Sequence, residues 1–140
     1  MAITQGQCTV FKTNLLKGLE NFNTGTSYTY KIALYTAAAT LDDTTLAYST
    51  DNEVSGTGYT AGGEVLAPTV PLSSSTTAYV SFANVTWNPA NFTARGALIY
   101  NSTTGAAVAV LDFGADKTAT STFTVTFPTA DASNAIIRIS

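Results

Sequence analysis

Residues 78–114 read AYVSFANVTWNPANFTARGALIYNSTTGAAVAVLDFG, and this stretch decides the fold class. Short apolar runs rich in β-branched and aromatic residues alternate here with turn-forming residues. Asn88 and Pro89 separate one pair of runs, and a segment that ends at Gly105 separates the next pair. Runs of this kind, broken by Asn, Pro and Gly, are typical of strands joined by tight turns. The stretch therefore predicts the central hairpins of an all-β domain.

The same block gives more detailed expectations. Residues 92–100 and 106–113 predict a hairpin, and residues 114–118 predict the turn that follows it. The alternation of side chains changes phase at residues 83–84, which predicts a β-bulge. Trp87, the only tryptophan, lies in the densest aromatic part of the chain. We expect it to be buried at the centre of the domain, near Phe82, Leu98 and Phe123.

Further strands flank this block. Residues 28–35 and 122–127 alternate cleanly between apolar and polar positions, and residues 135–139 predict a last strand. Residues 64–72 also resemble a strand, but their two prolines donate no backbone hydrogen bond, which places that strand at a sheet edge. About eight strands with regularly spaced turns indicate a β-sandwich or jelly roll, with residues 1–140 forming a single domain.

Two segments depart from this pattern. Residues 9–22 predict one helix, capped by Thr9, because Phe11, Leu15, Leu19 and Phe22 follow one stripe. This helix either covers the core or forms an arm that packs on a partner. Residues 36–63 are rich in Ala and Thr, then acidic, then rich in Gly. They predict a long surface excursion with a short helical turn near residues 41–48.

Composition excludes several classes of function. Only 11% of the residues are charged and the net charge is −3, with no basic cluster. Nucleic acid and anionic membrane surfaces are therefore not expected partners. No apolar run is long enough to span a bilayer, and residues 1–7 lack the features of a signal peptide. A surface with so little charge is suited to burial in an assembly, although an ordinary stable β domain also fits.

The chain offers little catalytic chemistry. It contains no histidine and a single cysteine, Cys8, which excludes the common triads and zinc sites. Asp112 and Asp116 flank a glycine and fit a turn better than a hydrolytic pair. A solvated acidic loop is favoured over a Ca²⁺ site in the excursion, and aromatic packing over a sugar-binding platform of Tyr48, Tyr59 and Tyr79. We therefore expect no enzymatic activity, no cofactor and no bound metal.

Several phrases nevertheless occur in a distinctive order. They are FKTNLLKG (11–18), YKIALY (30–35), EVSGTGYTAGG (53–63), VTW (85–87), FTARGA (92–97) and DFG (112–114). In this order the chain resembles small structural proteins of tailed bacteriophages and, within them, head decoration (cement) proteins with a jelly-roll fold. The resemblance implies a virion protein, made in the host cytoplasm, that binds the outer surface of the shell and stabilises it. A tail or receptor-binding module and a carbohydrate-binding module are the alternatives.

The resemblance also implies partners. These are the major capsid protein and the protein itself, as a symmetric homodimer or, alternatively, a trimer. We expect the segments 1–9 and 36–63 to be unattached to the rest of the fold and therefore available for such contacts. The candidate contact residues lie in the excursion, where acidic side chains would meet basic groups on the capsid. They are Asp42, Asp43, Asp51, Glu53 and Tyr59.

Overall fold

The computed structural model describes residues 2–23, 25 and 27–140. One short helix and ten strands make up its regular structure. In chain order these are β1 (Gly6–Gln7), α1 (Thr9–Leu16), β2 (Tyr30–Tyr35), β3 (Glu64–Leu66), β4 (Leu72–Ser74), β5 (Thr77–Val80), β6 (Val85–Trp87), β7 (Phe92–Asn101), β8 (Ala107–Ala119), β9 (Phe123–Val125) and β10 (Ile137–Ile139). The protein is all-β and sandwich-like, as the sequence predicted.

The largest sheet has five antiparallel strands in the order β1-β8-β7-β2-β3. Its centre is the predicted hairpin, now seen as β7 and β8. The Asn101 side chain shapes the connection, because its Oδ1 accepts hydrogen bonds from the backbone N–H groups of Thr103 and Thr104. Strand β2 then pairs along the whole of its length with β7 and is completely buried at five of its six positions. This apolar strand joins the hairpin to the rest of the core.

The predicted turn at residues 114–118 is wrong, because β8 continues to Ala119. Ala94 of β7 pairs with Lys117, whereas Gly96 pairs with Asp112, so extra residues of β8 bulge out between these pairs. Eight of the ten residues of β7 pair with β8, on both sides of the bulge, and the chain therefore does not reverse there. The Asp112 carboxylate accepts a hydrogen bond from the Gly114 N–H at 2.8 Å, which stabilises the bulge.

Two small sheets complete the domain, in the orders β10-β5-β4 and β6-β9. The phase change at residues 83–84 marks the passage of the chain from β5 to β6, which lie in different sheets, and not a bulge within one strand. The predicted strand over residues 64–72 divides into β3 and β4, with both prolines between them. Its expected edge position is confirmed, since β3 and β4 each lie at the edge of a sheet.

The helix is shorter than predicted. It ends at Leu16, just before Gly18, whose φ is 72°, and its N-cap is Cys8 without a side-chain hydrogen bond, not Thr9. Phe11 is fully buried, and α1 packs against β8, so the helix covers the core. Phe22 also reaches the core, but from the irregular segment after the helix, where its ring stacks on Tyr30.

Trp87 is buried as predicted, with 2% of its surface exposed. Its indole contacts the rings of Tyr59, Phe92 and Phe123 at centroid distances of 6.2, 6.5 and 6.0 Å. Phe82 and Leu98 are buried in the same hydrophobic cluster. The recorded ring partners of Phe82 are Phe22 and Phe127, so it belongs to a second aromatic group.

Candidate functional site

The excursion at residues 36–63 lies against the main sheet along much of its length. Isolated bridges join Leu41 to Ile3, Ala47 to Ala106, Glu53 to Tyr35 and Thr57 to Asn91. In the region of the predicted helical turn there is a single hydrogen-bonded turn, in which the Thr45 N–H donates to the Asp42 carbonyl at 3.1 Å. The excursion is thus attached to the fold at several separate points.

The N-terminal segment is also attached to the fold by backbone hydrogen bonds. Gly6 and Gln7 form β1, which pairs with Val110 and Ala109 of β8. The Thr4 N–H donates to the Leu41 carbonyl, and the Leu41 N–H donates to the Ala2 carbonyl. The expectation of an unattached segment 1–9 is therefore wrong for residues 2–9, because their backbone is bonded partly to β8 and partly to Leu41 and Asp43 of the excursion. Met1 lies outside the described residues.

Glu53 holds the second half of the excursion together. Its Oε1 accepts a hydrogen bond from the Tyr48 hydroxyl at 2.6 Å. Its Oε2 accepts from the Tyr59 hydroxyl at 2.5 Å and from the Gly62 N–H at 2.9 Å. Hydrogen bonds to an ionised carboxylate are stronger than those between neutral groups. One carboxylate therefore joins three points of the chain, and we call it the Glu53 buttress.

Tyrosines connect this buttress to the main sheet. The Tyr59 hydroxyl accepts a hydrogen bond from the Leu34 N–H at 2.9 Å while it donates to Glu53. The Tyr100 hydroxyl donates to the Gly62 carbonyl, and the Tyr100 ring stacks on Tyr48 with centroids 4.7 Å apart. Burial is the main reason that the pKa values of Tyr48, Tyr59 and Tyr100 are all raised. These hydroxyls therefore keep their protons and act as donors.

Two glycines let the excursion approach the backbone closely, at β2 and at the connection between β6 and β7. Gly63 has a φ of 78°, and a Cβ atom there would lie 1.7 Å from the Ile32 carbonyl oxygen. Gly58 has a φ of 87°, and its Cβ would lie 1.7 Å from the Pro89 carbonyl oxygen. Any side chain would collide with backbone at both places. Both glycines therefore combine a positive φ with a close approach of backbone to backbone.

The five candidate contact residues have different environments. Glu53 and Tyr59 are partly buried and make the internal hydrogen bonds just described. Asp43 and Asp51 are exposed. Asp42 is partly exposed, and its carboxylate accepts hydrogen bonds from the Thr44 hydroxyl and N–H, which lower its pKa. Contact with a partner stays a prediction for all five, and Asp43 and Asp51 have the carboxylates best placed to make it.

The acidic side chains do not converge on a metal site. Among the described residues, no group of three or more Asp, Glu, Cys or His side chains is placed to hold an ion. Of the two carboxylates judged unlike a hydrolytic pair, Asp112 lies 3.5 Å from the Arg95 guanidinium, and Asp116 is exposed in the bulge of β8. Of the three tyrosines considered for sugar binding, Tyr48 and Tyr59 are partners of Glu53.

The sequence analysis did not identify Glu20 as a buried carboxyl group. Its side chain is 7% exposed, and its Oε1 accepts hydrogen bonds from the Tyr30 hydroxyl and the Asn101 amide, each at 3.0 Å. Its Oε2 has no hydrogen-bond partner. Burial raises the pKa of Glu20 against the opposing effect of these hydrogen bonds. An acid between Leu19 and Phe22 is the one signal that could have drawn attention to it.

Comparison with known proteins gives no further guide to this site. No protein family, no curated protein and no solved structure matches the chain. Over the part of the chain that the structure describes, no helix is long and apolar enough to cross a membrane.

Proposed function

We propose that this protein decorates the outer surface of a bacteriophage capsid and stabilises the shell by binding its major capsid protein. The proposal begins from the order of sequence phrases that resembles phage decoration proteins. A structural role is also in keeping with the absence of histidine, and five of the nine acidic side chains accept hydrogen bonds within the fold: Glu20, Asp42, Glu53, Asp112 and Asp131. Each contact with an assembled shell would stabilise it by mass action.

The observation that carries the proposal is the Glu53 buttress. It fixes residues 48, 59 and 62 relative to one another, close to the acidic residues of the excursion. A surface that is ordered before binding loses less conformational entropy when it docks. Asp43 and Asp51 would then present negative charge to the capsid from a preformed surface, where charge complementarity favours encounter and sets register.

The rest of the surface suits burial in an assembly. Leu16, Leu72 and Ile139 are 91%, 55% and 54% exposed, and 11% of the residues of the whole chain are charged. Exposed apolar side chains can be covered by another protein at low desolvation cost. A homodimer or a trimer on the shell remains part of the proposal, and light scattering of the isolated protein measures which of the two forms.

The test is to add purified protein to heads that lack it and measure occupancy at increasing salt concentration. The variant Asp43→Asn/Asp51→Asn removes two exposed carboxylates and leaves Glu53 intact. Glu64→Gln is the control, because it removes an exposed carboxylate at a site that is part of neither proposed contact. We expect the first variant to bind poorly at all salt concentrations and the control to bind like the wild type.

Equal occupancy for both variants would show that the excursion is not the docking surface. The number of copies in native particles separates the proposal from its main alternative. Hundreds of copies per particle fit decoration of the shell, whereas a few copies fit a tail or receptor-binding module. Binding of glycans by the isolated protein would instead favour a carbohydrate-binding module.

A further inference from the structure

A cavity of about 370 Å³ opens between the C-terminal part of β8 and the strand β9. It touches the successive residues 117–119 of β8 and 122–126 of β9 and its flanks. Side chains of a strand point alternately to opposite faces, so a cavity above a face meets every second residue. A cavity that meets consecutive residues lies along the edges of both strands.

These two edges have no backbone partner within the described residues. β8 is paired on one side with β7. On the other side, its residues 107–110 are bonded to Leu46, Cys8 and β1, and no backbone partner of residues 117–119 is seen among the described residues. β9 pairs with β6 along one of its edges, and its other edge is unpaired among the described residues. Residues 114–118 of β8 are all exposed, so no other part of the described chain buries either face of this end of the strand. Unpaired strand edges are templates for another extended chain.

The lining of the cavity describes the segment that would fit. Phe113 and Phe123 form an apolar wall, with ring centroids 6.1 Å apart, and Phe113 is still partly exposed. Threonines make up most of the remaining wall. Lys117 is the only charged residue of the lining and is exposed. The one ion pair recorded among the described residues joins Arg95 to Asp112, so Lys117 is available to an outside carboxylate.

We propose that this cavity receives an extended, acidic segment of the major capsid protein, which adds as a strand beside β8 or β9. Backbone hydrogen bonds to a free edge provide affinity, and pockets for alternate side chains provide specificity. An apolar side chain of the segment contacts Phe113 and Phe123, and a carboxylate two residues or so away pairs with Lys117. This inference rests on the proposed decoration of capsids and names a second contact, distinct from the excursion.

The first experiment identifies the occupant by photo-crosslinking on heads decorated with this protein. The crosslinking residue p-benzoylphenylalanine replaces Thr122, an exposed residue of the cavity wall, and in a matched control it replaces the exposed Thr76 of the turn between β4 and β5. We expect position 122 to crosslink to one short segment of the capsid protein that contains Asp or Glu. A crosslink from position 122 to a second copy of this protein, or to no protein, overturns the proposal.

The second experiment reverses the charge. Lys117→Glu should weaken binding to bare heads about tenfold, whereas Lys12→Glu, on the exposed side of α1, should leave binding unchanged. Urea unfolding of both variants establishes that they are equally folded. Wild-type affinity for Lys117→Glu overturns the proposal. If Lys117→Glu binds like the wild type while Asp43→Asn/Asp51→Asn binds poorly, the proposed decoration of capsids stands and only the strand site is refuted. If the wild-type protein does not bind heads at all, both proposals are refuted.

Discussion

Replacement of Glu53 tests whether the excursion is held in place by one carboxylate. Three donors converge on it, from Tyr48, Tyr59 and Gly62, at 2.5–2.9 Å. A hydrogen bond to a charged group contributes about 1.5–3 kcal/mol, against about 0.5–1.5 kcal/mol for a neutral one. Glu53→Gln keeps one acceptor oxygen but loses the charge, and should lower the free energy of unfolding by about 2 kcal/mol. Glu53→Ala leaves all three donors unpaired and should cost about 4 kcal/mol.

Urea unfolding, followed by circular dichroism, measures these differences, and the exposed Glu64→Gln is the control, expected within about 0.5 kcal/mol of the wild type. Amide hydrogen exchange adds a local measurement, because the Gly62 N–H should exchange much faster in Glu53→Ala while the amides of β7 and β8 stay protected. A Glu53→Ala protein as stable as the Glu64→Gln control, with a protected Gly62 amide, would contradict the buttress.

Two further predictions concern the core. Trp87→Ala should lower the free energy of unfolding by about 3–5 kcal/mol, since it removes a buried indole that three other rings contact; red-shifted, readily quenched Trp emission from the native wild type would contradict this burial. Burial raises the folded-state pKa of Glu20 above its ordinary value of 4.5. The contribution of its neutral carboxyl group to the free energy of unfolding is therefore complete below that pH, and is lost as the pH rises through the folded pKa. Glu20→Gln should therefore match the wild type at about pH 4 and be more stable than it at about pH 7 in urea unfolding; a variant that is less stable at about pH 7 would be evidence against this ionisation cost.

Local sequence patterns predicted the strands that pair with near neighbours in the chain. The β7–β8 hairpin is the clearest case, because its apolar runs and its turn lie within one continuous stretch. The apolar strand β2 was also recognisable, although residues 28 and 29 lie outside it. The helix was drawn too long because Phe22 continues the apolar stripe, whereas it reaches the core through a different backbone conformation. Periodicity alone does not distinguish these two routes to burial.

Long-range relationships were not accessible in this way. Nothing near Ile137 indicates that β10 would pair with β5, 57 residues earlier at Val80. Glu53 resembled Asp43 and Asp51 as one more acid of a polar loop, yet its carboxylate is an internal acceptor. Its role depends on Tyr48, Tyr59 and Gly62 meeting at one point, which only the folded chain brings about. The cavity beside β9 likewise arises from the meeting of two strands in space.

The pairing of β2 with β7 has a consequence for how the protein folds. Tyr30 is the partner of Asn101, so β2 can pair only with a strand that lies some seventy residues further along the chain. Contacts so distant in sequence form slowly, because the conformational entropy of closing a long loop is lost before the contacts stabilise the chain. During synthesis, YKIALY therefore leaves the ribosome long before its partner exists. An exposed, largely apolar β segment of this kind, whose one charge is Lys31, is prone to associate with other chains. The yield of folded protein should thus depend on how quickly the β7–β8 hairpin forms and covers it.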